Sequence, residues 1–166
     1  MIKNIKKNNS GYALLETIFY IALFAILSIA VIDAMITMTK AFKETTIQAE
    51  LMQSGNIMER ISREIRKAYN ISSITTNSLK LDSMDDAGVN KTVEFSLLGS
   101  DIRLLENDVF TGNLNTLDIT VVSLVFTQIN TTRGVAIKIV LTVKSNHDSL
   151  ERNESFYDTV VLRGDY

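Results

Sequence analysis

The chain has 166 residues, 46% of them hydrophobic, with 19 acidic against 17 basic side chains, one histidine, and neither cysteine nor proline. That length suits one domain plus an anchor. The lack of cysteine excludes disulfide staples and thiol chemistry, and the charge balance is not that of a nucleic-acid binder, which shows a basic surplus or patch.

Residues 1–11 contain Lys3, Lys6 and Lys7, no acid, and a Gly at position 11. From Tyr12 to Thr39 the chain is apolar for 28 residues apart from scattered hydroxyls and two acids, Glu16 and Asp33. As a helix this stretch is about 42 Å long, against about 30 Å for a bilayer's hydrocarbon core. The lysines before it and the positive-inside rule put the N-terminus in the cytoplasm and everything after Lys40 outside. No second segment is apolar enough to span, so a single-pass chain is expected. Asp33 falls about 31 Å along the helix from residue 12, a position expected at the outer headgroup region, with pairing to a basic residue of another subunit as the alternative.

Three readings of this N-terminus compete. One is a secretory signal with Ser28-Ile29-Ala30 as its small-x-small cleavage site,. Glu16, inside or beside that signal's apolar core, argues against it. The second is a plain anchor, in which Gly11 and Glu16 carry no meaning. The third is a leader cut after Gly11, leaving Tyr12 as a new N-terminus with a free amine. A carboxylate costs about 2.5–3.5 kcal/mol at a bilayer centre, so Glu16 calls for a cation. An ammonium on a neighbouring copy supplies one, and pairing is what makes two buried charges tolerable.

In order, Gly11, Tyr12, Ala13, Leu14, Leu15 and Glu16 after a basic leader resemble the cleavage signal of type IV pilins and type II secretion pseudopilins. The family more often has Phe where Tyr12 stands. The resemblance implies cleavage between Gly11 and Tyr12 by a prepilin peptidase, N-methylation of Tyr12, and Glu16 as the assembly carboxylate. It also implies storage in the inner (cytoplasmic) membrane, then assembly with other pilin or pseudopilin subunits on an inner-membrane platform into a helical filament. Removing residues 1–11 would take three basic residues and no acid, moving the formal charge from −2 to −5 before the termini are counted. The chain departs from many relatives in lacking a C-terminal disulfide and a helix-kinking proline.

Beyond the membrane the helical period continues. Ile47, Leu51, Ser54, Met58, Ile61, Ile65 and Ala68 step alternately by four and three, an apolar seam with one polar position,. Over residues 58–68 this seam is expected to pack on the protein's own sheet, with intersubunit contact allowed nearer the membrane, and Glu59–Arg63 and Arg60–Glu64 are i,i+4 pairs outside it. Gly55 is a weak point, and Asn70 with the Ser/Thr-rich stretch after it ends the helix,.

The period then changes to two. Strands are predicted over residues 71–76, 79–81, 92–97, 101–104, 117–129, 135–143 and 156–162, with Asn130-Thr-Thr-Arg-Gly134 as a hairpin turn,. The loop around 145–149 and 152–154 is polar and expected to be mobile. A helix followed by consecutive strands predicts an α+β fold with the long N-terminal helix, half transmembrane and half extramembrane, packed on a C-terminal antiparallel sheet. The expected layout is a leader at 1–11, a transmembrane helix at 12–39, its extramembrane continuation at 40–70 and a β-rich head at 71–166. The helix segment Met58-Glu-Arg-Ile-Ser-Arg-Glu-Ile-Arg66, Val122-Ser-Leu-Val-Phe126 and Asp158-Thr-Val-Val-Leu-Arg-Gly164 resemble J-type minor pseudopilins and their pilus equivalents. This implies a pilin-like minor subunit; a major subunit is the runner-up.

Catalytic chemistry has little to stand on. His147 sits in a polar loop and reads as solvated. There is no Ser/His/Asp set, phosphate-binding glycine loop or His/Cys metal cluster in the pattern. Asp82, Asp85 and Asp86 lack EF-hand spacing and read as a hairpin turn rather than a calcium site,. No enzyme activity, cofactor, metal or small-molecule substrate is expected. The alternative function is a membrane-anchored extracellular β-rich binding module, such as an adhesin.

Overall fold

The computed structural model describes residues 10–85, 87–132 and 134–162. Among the described residues one helix is followed by eight strands. Helix α1 (Ser10–Lys67) precedes β1 (Asn70–Ile74), β2 (Ser78–Met84), β3 (Asn90–Leu98), β4 (Asp101–Glu106), β5 (Val109–Asn113), β6 (Ile119–Thr131), β7 (Gly134–Ser145) and β8 (Asn153–Val161). The chain divides into two compact units, Met1–Glu44 and Thr45–Tyr166. Residues 1–9 of the expected leader at 1–11 lie outside the described residues, as do Asp86, Arg133 and residues 163–166.

In the first unit the helix is long and apolar enough to cross a membrane, and none of its apolar window is buried in the protein. Its hydroxyls bond to its own backbone. Thr17, Ser28, Thr37 and Thr39 each donate to the carbonyl four residues back, at 2.8–2.9 Å. Such back-bonding satisfies polar groups where water is absent. Ser28, part of the alternative signal-cleavage site, is therefore a mid-helix residue.

In the second unit the helix buries Met58, Ile61 and Ile65, as expected for 58–68, with Ala68 buried just past its end; nearer the membrane it also buries Ile47, Glu50, Ser54 and Ile57, and it adds Ser62. Leu51 is only partly buried. The helix ends at Lys67, three residues before Asn70, because Tyr69 N donates to Asp82 O of β2 and starts the first strand. Arg66 and Lys67 in the last turn favour the negative end of the helix dipole,.

The strands form two antiparallel sheets rather than one, with orders β1-β2-β3-β4-β5 and β6-β7-β8. Turns of the first sheet bond to the outer edge of β6. Phe126 N donates to Thr76 O (2.9 Å) in the β1–β2 turn, and Val121 N to Ser100 O (3.1 Å) in the β3–β4 turn. Isolated turn carbonyls accept single bonds, so no ladder continues from one sheet to the other.

Alternation gives each sheet a buried face: Leu79 and Leu81, Val93 and Phe95, Ile102 and Leu104 in the first, and Ile137, Ile139, Leu141 and Val143 in the second. β6 needs a correction to its period. Ile119 and Val121 are buried, and so are Leu124 and Phe126, an odd step apart. A bulge between Val121 and Ser123 leaves Val122 unpaired and returns the later side chains to the core,.

Strand β5 was not predicted. It pairs with β4 through a two-residue turn at Asn107 and Asp108, both at positive φ (52° and 64°), the type I′ geometry that matches strand twist. Its residues are mostly exposed, so it lacks an alternating apolar face. Arg103 stacks over Phe110 at 4.4 Å and holds it on the sheet,.

Candidate functional site

The N-terminal residues singled out by the sequence lie near the start of α1. Gly11 is helical, Tyr12 is 82% exposed, and Glu16 is exposed one turn later. Glu16 Oε1 accepts a hydrogen bond from Tyr20 Oη at 3.2 Å. That partner is neutral and on the same helix, so it brings no positive charge to the carboxylate. Around it Leu14, Leu15, Ile18, Phe19 and Ile21 are all more than half exposed. Asp33 is likewise exposed on the helix.

A second constellation appears in the other unit, and sequence reasoning missed it. Glu50 is buried, at 7% exposure, on the face of α1 that carries Ile47 and Ser54. Period-two alternation along β7 puts Ser145, after Leu141 and Val143, on the core side, and Ser145 Oγ donates to Glu50 Oε2. His147, in the turn after β7, sets Nδ1 2.8 Å from Glu50 Oε1. The same Ser145 Oγ accepts from His147 N at 3.1 Å. The His147 side chain is 57% exposed, so the loop residue expected to be solvated is also tied to a buried carboxylate. Asp118, just before β6, adds a third ligand-type group.

The loop expected to be mobile is bonded throughout. Asn146 N donates to Asp118 O, and Asn146 Nδ2 to Leu117 O, both at 2.8 Å. Asp148 accepts from Leu150 N (3.0 Å) and from Arg152 Nε (2.7 Å). These bonds to Arg152 and then Leu150 hold the Asp148 carboxyl below its ordinary value,. The signal available in the sequence was Glu50 itself, an acid three residues after one buried seam position and four before another.

The acidic hairpin is a turn. Asp85 Oδ1 accepts from Ala87 N (2.9 Å) and Val89 N (2.8 Å), and Gly88 takes the positive φ (78°) the turn needs. Asp82 accepts from Asn70 Nδ2 at 2.8 Å. Asp86, the third acid of that group, lies outside the described residues.

No protein-family model, curated protein or solved structure matches this chain.

Proposed function

We propose that the chain is a minor pilin or pseudopilin, a structural subunit without turnover of its own. It waits in the inner membrane with its N-terminus cytoplasmic and its head outside. A prepilin peptidase cuts after Gly11, the Tyr12 amine is methylated, and an assembly platform lifts the subunit into a helical filament with its relatives. The observation that carries this reading is Glu16: an exposed carboxylate near the start of an uncovered apolar helix, bonded only to a neutral hydroxyl of its own helix among the described residues. An isolated charge there is unfavourable in lipid. A neighbouring subunit's Tyr12 ammonium supplies the counter-charge as both helices leave the bilayer.

Two measurements test this. Mass spectrometry of the protein from cells with an active prepilin peptidase is expected to find a chain beginning at Tyr12. Retention of residues 1–11 overturns the proposal and leaves a membrane-anchored binding module. Glu16→Ala is expected to be cleaved and inserted normally yet be absent from sheared or purified filaments. Normal incorporation of that variant removes Glu16 from the mechanism.

A further inference from the structure

Glu50, Asp118 and His147 come from three segments: α1, the β5–β6 loop and the turn after β7. One ligand-type atom of each lies within 4.8 Å of the other two. We propose that these three side chains bind a zinc ion on the second unit.

The distances suit a small transition-metal ion. An imidazole nitrogen and a carboxylate oxygen bound tetrahedrally to one zinc, at about 2.0–2.2 Å each, stand about 3.4 Å apart. His147 Nδ1 and Glu50 Oε1 are 2.8 Å apart, a hydrogen-bonding distance, so the pair opens by about 0.6 Å to admit the ion,. Asp118 is exposed, and rotation of its side chain is what would close the remaining gap. The donor set also selects the ion. Calcium and magnesium prefer shells built from oxygen alone, with six or more ligands. One imidazole and two carboxylates suit zinc, with the fourth position left to water.

Two further features belong to a built site rather than to a chance cluster. The ligands have outer support: Ser145 Oγ holds Glu50 Oε2 and the His147 backbone together, the kind of contact that orients metal ligands. The two loops are joined as well, because Asn146 bonds to the Asp118 and Leu117 carbonyls. The carboxylate of Glu50 is buried. A zinc ion supplies fixed positive charge to that carboxylate. The exposed His147 side provides the entry path.

The test uses the full, tag-free chain in detergent, stripped with a chelator and then dialysed against micromolar zinc chloride. Bound metal is counted by mass spectrometry and thermal unfolding is followed with and without zinc. About one zinc per chain and a zinc-dependent rise in Tm are expected. His147→Ala and Asp118→Asn are each expected to weaken binding at least tenfold and to remove that rise. Both residues are exposed, and the zinc-free Tm of each variant reports folding separately. Failure of the unsubstituted chain to bind zinc overturns the proposal. So does zinc binding that survives both substitutions, or a calcium-dependent rise in Tm equal to that with zinc.

Discussion

Asp148 organises the turn after β7 by accepting from Leu150 N, Arg152 N and Arg152 Nε. Its carboxyl is held below the ordinary value of 3.8, first by the Arg152 side chain and then by the Leu150 amide. A carboxyl whose value is lowered in the folded state binds fewer protons folded than unfolded. Its contribution is therefore complete above the ordinary value and is lost as pH falls through the lowered one. Urea unfolding between pH 7 and pH 2.5 is expected to show stability falling below about pH 4, and Arg152→Gln is expected to flatten that part of the profile. Sequence reading found none of this, although Asp148 and Arg152 stand four apart. Glu50 was harder still, because its partner Ser145 is 95 positions away. A buried acid is legible as a problem in a helical seam, but the group that answers it is set by how the strands return.

The elements themselves follow from short-range patterns. In the second unit α1 was legible because burial every three or four residues requires apolar side chains there, and the buried set repeats the seam from Ile47 to Ala68 except at the partly buried Leu51,. Ile61 is fully buried while Met52 is 74% exposed. Ile61→Ala is expected to cost about 2–5 kcal/mol in urea unfolding, and Met52→Ala to stay within about 0.5 kcal/mol. Gly55 is a helix-interior glycine, and an added Cβ meets nothing within 4 Å. Gly55→Ala is expected to raise stability by up to about 1 kcal/mol in the same measurement. Strands β2, β3, β4 and β7 were legible by alternation. β5 was not, since an exposed edge strand has no face to pattern and is defined by the Asn107-Asp108 turn that returns it to β4. The bulge in β6 escaped for a related reason. A long run rich in β-branched and other apolar residues reads as one strand whether or not one of them drops out of the ladder,.

At the scale of the molecule, the two units solve opposite problems. Thr45–Tyr166 closes a core of Ile, Leu, Val and Phe around one face of α1 and both sheets. In Met1–Glu44 the described apolar side chains are largely exposed, including Phe19, Phe24 and Ile26. An exposed apolar surface of that extent needs lipid or other apolar helices around it. The chain is accordingly expected to stay in the membrane pellet after carbonate extraction. Under the proposed orientation, protease added to spheroplasts is expected to digest residues beyond Lys40 while an N-terminal epitope on the uncleaved form survives. The sequence by itself determined the membrane-length helix, the amphipathic continuation, most strands and the α+β class, because each is a repeat of two to four residues that local burial imposes. It also carried the resemblance at Gly11, Tyr12 and Glu16, a contiguous pattern. Only the tertiary structure decided that the strands divide into two sheets, that β5 exists, and that Glu50, Asp118, Ser145 and His147 converge. Those depend on which distant backbone groups meet when the chain closes its core, and no local period records that.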